Sequence, residues 1–241
     1  LIEPRWDFNL YALNTTAQTT WEWIQPEGDR HSRASDVLFT EDRILVTTIS
    51  SLVTMGSPDY RSTVHALNPD GGVTWSLPIL PDHGSVTVSC IRSRQPGHPI
   101  FVSGGCGTGD DNGVYAYMIS EDGALLNSLV RLYPGSTRST AEAALATADG
   151  GLLLGGTLSI GSTTMNRIVL LKVAPNGTLD QEVMHGQDQG SKICQQVVEW
   201  DGVPWITVNG RLPLSDEVSS SCAFRLNEEL GIDGWFQYAR L

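Results

Sequence analysis

The chain has 241 residues, 40% of them hydrophobic, which is enough for one sizeable domain with a buried core and too apolar for a disordered segment. With 15 Lys plus Arg against 27 Asp plus Glu, its formal net charge of −12 repels phosphate backbones and anionic membrane surfaces, so nucleic acid is not expected as a partner. No run reaches the roughly 18 consecutive apolar residues of a membrane helix, and the opening LIEPRWDFN is not a basic-then-apolar leader, so no membrane span is expected.

Residues 1–25 contain the phrase LYALNTTAQTTWEWI, an alternating run, a polar turn and a second short run carrying Trp. It returns as VHALNPDGGVTWSLPI within 26–80, YAYMISEDGALLNSLVRL within 81–132, VLLKVAPNGTLDQEVM ending the 133–184 stretch and AFRLNEELGIDGWFQYA within 185–241. The last apolar residues before these turns, Leu13, Leu67, Ile119, Val173 and Leu226, are spaced 54, 52, 54 and 53 apart, too evenly for chance. Between the phrases lies a second pair of runs, such as ALATADGGLLLGGT turning at Asp149-Gly150-Gly151, or VVEWDGVPWITVNG turning at Asp201-Gly202. Alternation in Thr63-Val64-His65-Ala66-Leu67 has the two-residue period of a half-buried strand, and Gly, Asp, Asn and Pro mark the boundaries.

Four short strands per period of about 53 residues predict an all-β chain, a β-propeller of four-stranded antiparallel blades. About five blades are expected in a single domain: an N-terminal half blade at 1–25 and four complete blades at about 26–80, 81–132, 133–184 and 185–241. Trp21, Trp75 and Trp235 are expected to share one repeat position and pack between blades. The segment ATADGGLLLGGTLSIGSTTMNRIVLLKVAPNGTLDQEVMHG resembles the DGG-then-GGT propeller repeats of secreted and surface proteins of bacteria. VHALNPDGGVTWSLPI is similar to the blade phrase of quinoprotein-like repeats, and Asn68-Pro69-Asp70-Gly71-Gly72-Val73-Thr74-Trp75 resembles the Asp-box of sialidase-type propellers, with Asn68 where Ser or Thr is expected. These resemblances imply the fold and no particular activity. The half blade leaves three expectations open: closure of the ring by the half blade alone, excision from a longer chain, or strands donated by a neighbouring molecule.

Loops joining blade to blade, and strand two to strand three, are expected on one face, written by segments such as QPEGDRHSR, LPDHGS, LYPGSTRS and VMHGQDQGS. His31, His83 and His185 fall there, 52 and 102 residues apart, and are the ligand-face candidates, since converging histidines bind divalent ions. Asp110, Asp111 and Asn112 offer clustered oxygens that suit calcium in kind but not in spacing. The carboxylates Asp29, Asp59, Asp82, Asp188 and Asp216 form no recognisable acid–base pair, and no nucleophile elbow, zinc-protease motif or phosphate loop occurs. No catalytic residue and no cofactor is therefore expected, calcium being the one candidate ion. Cys90, Cys106, Cys194 and Cys222 lack zinc-site spacing and are expected to pair as Cys90–Cys106 and Cys194–Cys222 staples within blades. Asn14 and Asn176 head Asn-x-Thr sequons open to glycosylation. Together these features point to an extracellular or cell-surface interaction or assembly module without catalysis. Its expected partner is a protein, a carbohydrate or, in a fibre-forming variant, a second copy joined by strand donation. The alternative is a glycan-active hydrolase or lyase using carboxylates of the ligand face.

Overall fold

The computed structural model describes residues 9–13, 15–24, 31–52, 59–79, 85–108, 111–160, 166–185, 192–210 and 220–238, and every regular element among them is a β-strand. A two-stranded ribbon, β1 (Asn9–Leu13) and β2 (Thr19–Ile24), precedes four antiparallel sheets of four strands each. Sheet I holds β3 (His31–Phe39), β4 (Ile44–Leu52), β5 (Asp59–Leu67) and β6 (Val73–Ile79). Sheet II follows with β7 (Ser85–Arg92), β8 (Ile100–Thr108), β9 (Asp111–Ile119) and β10 (Leu125–Leu132). Sheet III is β11 (Ser136–Ala146), β12 (Leu152–Ile160), β13 (Asn166–Val173) and β14 (Leu179–His185), and sheet IV is β15 (Lys192–Trp200), β16 (Val203–Gly210), β17 (Ser220–Leu226) and β18 (Ile232–Tyr238). No helix among the described residues is long and apolar enough to cross a membrane.

Each sheet is a simple up-and-down meander with strands in chain order. Four strands return the chain to the end where it entered, so β3, β7, β11 and β15 run in one direction and lie side by side. The sequence period is set in the turn between third and fourth strands. There the backbone takes a left-handed conformation at Gly71, Gly123, Gly177 and Leu230, with φ of 89°, 86°, 83° and 57°, and the turn of the β1–β2 ribbon does the same at Ala17, with φ of 59°. In sheet I the Gly71 amide donates to the Asn68 carbonyl at 2.9 Å and the Asn68 amide to the Gly72 carbonyl at 2.8 Å, and the same pair of bonds recurs in the other three sheets. This is the three-residue hairpin loop, in which a turn is closed by one left-handed residue.

The sheets are stacked in sequence, with one apolar layer between each consecutive pair. Leu45, Val64 and Ala66 of sheet I meet Val86, Val102 and Tyr115 of sheet II. Phe101, Val114 and Ala116 on the other face of sheet II meet Leu152, Leu154 and Val169 of sheet III. Leu153 and Leu170 then face Cys194, Ile206 and Val208 of sheet IV. Neighbouring residues of one strand thus serve different layers, as the strand period requires, and a strand buried on both faces reads as the unbroken apolar run LLLGGT. Burial of each such Val, Leu or Ile contributes about 1.5–3 kcal/mol. The opposite face of sheet IV presents Trp200 and Phe236, which flank Trp205 with ring centroids 5.8 and 5.4 Å from it.

The last strands of the ribbon and of sheets I and II each clasp a turn of the following sheet. Trp21 Nε1 donates to the Pro69 carbonyl at 2.6 Å, Trp75 Nε1 to Glu121 at 3.1 Å, and Asn127 Nδ2 to Asn176 at 2.7 Å. These three residues share one register position, opposite Ala12, Ala66 and Met118. Trp235 does not share it. It pairs with Phe224, whereas Gly234, opposite Arg225, holds the equivalent place, so the expected likeness of Trp235 to Trp21 and Trp75 is off by one residue.

Candidate functional site

Each first strand carries a register shift against its second strand, and the shifts fall at equivalent places: between Ala34 and Asp36, Val88 and Cys90, Thr140 and Ala143, and Cys194 and Gln196. The residues inserted there include Ser35, Ser89, Glu142 and Gln195. A bulge leaves its extra residue out of the ladder and re-aims the side chain. In sheets II and III a glycine of the second strand makes room for it. A Cβ on Gly156 would lie 2.6 Å from the Thr140 carbonyl oxygen, and one on Gly104 would collide with that of Thr87. Gly104 and Gly156 are therefore seats for the bulged strand of their own sheet, while their neighbours Gly105 and Gly155 let the next sheet approach, a Cβ there meeting the Ser139 carbonyl oxygen at 2.5 Å and Cys194 Sγ at 2.7 Å.

Ser35, Ser89 and Glu142 line a cavity of about 700 Å³ between the entering halves of β3, β7 and β11. Arg33, Thr87, Arg138 and Thr140 share the wall, which is dominated by hydroxyls and guanidinium groups. Glu142 is held by Thr157, whose hydroxyl donates to Oε2 at 3.4 Å while accepting the Cys194 amide at 3.1 Å. At the other end of the first strands, Arg94 forms a two-pronged pair with Glu199 at 3.2 Å for each bond, tying sheet II to sheet IV. Sheets I, II and III are joined by the Asp36 carboxylate. It accepts from the Ile91 amide at 3.0 Å and is paired with Arg92, which also donates through Nε to the Ala144 carbonyl at 3.1 Å. These clasps hold the first strands in register and so fix the cavity's walls.

The residues singled out in the sequence scatter around this cavity. His31 is half-buried at the start of β3, opposite Ser51. His185 ends β14, and its Nε2 donates to the Leu230 carbonyl at 2.9 Å, making it a clasp between sheets III and IV and not a partner of His31. His83 lies outside the described residues, and no cluster of three metal-ligating side chains occurs among those described. Asp110 is also outside them. Asp111 is exposed opposite Thr108, while Asn112 borders the cavity and donates its amide to the Ser136 carbonyl at 2.6 Å, so it holds sheets II and III together. The side chains of Asp29, Asp59, Asp82, Asp188 and Asp216 lie outside the described residues.

The cysteine staples are not formed: no disulfide joins the four cysteines, and all are buried. Cys90 pairs with Ser103 and faces the layer between sheets II and III, whereas Cys106 pairs with Val86 and faces the layer between I and II. They sit on opposite faces of one sheet. Cys194 and Cys222 both neighbour Val208, one on each side, so two strand spacings of about 4.8 Å separate them, beyond the reach of a disulfide. Burial pushes the thiols of Cys90 and Cys106 up to about 11 and that of Cys194 to about 12. Asn14 is outside the described residues, and Asn176 is exposed, its side chain accepting the Thr178 amide at 3.0 Å.

Fold and cavity define the class: an all-β protein of repeated four-stranded sheets with a polar cavity among its first strands. No protein-family model matches the chain, and comparison with curated proteins finds no match.

Proposed function

We propose that the four sheets and the β1–β2 ribbon are blades of a β-propeller, and that the chain is a non-catalytic binding module holding a carbohydrate in the cavity between its first strands. The observation that carries this reading is the wall of that cavity. Repeated bulges turn Ser35, Ser89 and Glu142 inward beside Thr87 and Thr140. Such a set of donors and acceptors on rigid strands suits a ligand that is itself covered in hydroxyls. Parallel first strands and stacked sheets support the propeller, because that is how blades meet around an axis. An extracellular or cell-surface setting belongs to the same reading and is supported by the exposed Asn176 of the second sequon.

Cleavage of a glycan would need two carboxylates about 5–10 Å apart across the bond. Glu142 is the one carboxylate among the described residues that line the cavity. The test is a glycan array followed by calorimetry on the hits, with a Ser89→Tyr variant that fills the cavity. Saccharide binding abolished by that substitution, with the ligand recovered intact, is the expected result. Absence of any saccharide binding overturns the reading, and recovery of cleaved ligand favours the hydrolase.

A further inference from the structure

We infer that the cavity selects an anionic saccharide, whose acidic group is held by Arg33 and Arg138; this rests on the carbohydrate-binding reading above. Arg43, Arg92, Arg94, Arg131 and Arg225 each face a carboxylate within ion-pairing distance. None of the ion pairs among the described residues engages Arg33 or Arg138, and both of these line the cavity. In a chain with a formal net charge of −12, carboxylates are plentiful, so two guanidinium groups facing one polar cavity are a local reversal of the molecule's charge.

Their placement divides the labour. Arg33 stands on β3 and Arg138 on β11, so they approach from either side of Thr87 and Ser89 on β7. Against these two positive charges the described lining sets a single carboxylate, Glu142, which Thr157 holds in place. The wall thus offers guanidinium forks for an acidic substituent and hydroxyls with one carboxylate for the ring hydroxyls of the sugar. Arginine presents planar paired donors that match a carboxylate or sulfate, a geometry lysine lacks. The acidic surface elsewhere disfavours non-specific capture of polyanions and leaves the cavity as the place where such a ligand is held.

The experiment is calorimetry on the full chain with matched ligand pairs: a trigalacturonate and its methyl ester, and a sulfated galactan oligosaccharide with its desulfated form. Expected is at least tenfold tighter binding of one acidic form than of its neutral partner, weakening as salt is raised from 50 to 500 mM, as exposed charge pairs do. Arg33→Gln and Arg138→Gln should each bring the acidic ligand to the neutral level, while Arg33→Lys retains part of the preference and Arg43→Gln leaves it unchanged. Circular dichroism of each variant checks that it is folded. Which pair shows the preference distinguishes carboxylate from sulfate. Equal or tighter binding of both neutral forms overturns this inference and leaves the carbohydrate reading standing. Failure of all four ligands, with no saccharide bound on the array, overturns both.

Discussion

Trp75 of sheet I and Gly123 of sheet II are fitted to each other: the indole Nε1 donates to the Glu121 carbonyl at 3.1 Å, and its ring lies so close over the turn that a Cβ on Gly123 would come within 2.6 Å of it. The same arrangement holds between Trp21 and Gly71. A left-handed turn residue without a side chain is thus required twice over, once by its φ of 86° and once by the ring above it.

Gly123→Ala should therefore destabilise the protein by about 2–4 kcal/mol, combining a left-handed alanine with an overpacked contact. Removal of the ring should lighten the second part, so Trp75→Ala combined with Gly123→Ala should cost less than the sum of the single changes. Denaturant melts of the three variants measure this coupling, and strict additivity would separate the two residues.

Ala17 is the informative counterpart. It occupies the equivalent turn with φ of 59°, is exposed, and stands where three other repeats have glycine. Ala17→Gly should stabilise by about 0.5–1 kcal/mol, the left-handed cost of alanine less the extra unfolded-state entropy of glycine. A lowered melting temperature would contradict the turn geometry.

His65 makes stability depend on pH. It is buried at 8% exposure, with Nε2 3.2 Å from Thr48 Oγ1, Nδ1 2.9 Å from Ser76 Oγ and the Trp23 ring 5.0 Å away. Desolvation lowers its pKa from 6.5 to about 4. The folded state holds the neutral ring and the unfolded state takes up a proton more readily. Stability is therefore fully present above pH 6.5, falls as pH drops toward 4, and loses on the order of 3 kcal/mol across that window. His65→Gln should flatten the slope in urea melts between pH 7 and 4, and an unchanged slope would remove the assignment.

The thiols should be inert in the folded chain. With pKa values of about 11 to 12, Cys90, Cys106 and Cys194 carry almost no thiolate at pH 8. Iodoacetamide should label none of these three under native conditions and all four cysteines in guanidinium, read by mass spectrometry. Disulfide-linked peptides in an unreduced digest would contradict the buried, disulfide-free state.

The repeat was legible because its cause is local: loops such as Pro69-Asp70-Gly71 and Pro175-Asn176-Gly177 announce their turn within three residues. The cavity was not, because a bulge adds one residue without a residue type of its own. Its trace is a slip in alternation, as where Cys90 and Ile91 are buried side by side after Val86 and Val88 have alternated with half-buried neighbours. Even spacing placed His31 and His185 at strand ends, one opening β3 and the other closing β14, but spacing does not say that the His185 ring turns to the Leu230 carbonyl. The cysteine pairing was out of reach of the sequence on two grounds. For Cys90 and Cys106, the run of residues does not say which face a side chain takes, and one inserted residue changes the answer, whereas Cys194 and Cys222 share a face but have β16 between them.

The bulges also make the first strands that line the cavity, such as β7, two texts joined at a comma. Before the inserted residue, odd and even positions divide between the cavity wall and one layer; after it the parity is exchanged, and the positions answer to a different neighbour. Substitutions at Thr87 or Ser89 therefore leave the packing of Ile91 and Arg92 untouched. Such a scaffold keeps its core vocabulary fixed while the words facing the ligand are free to be rewritten, so proteins of this architecture can diverge in what they hold without renegotiating how they stand.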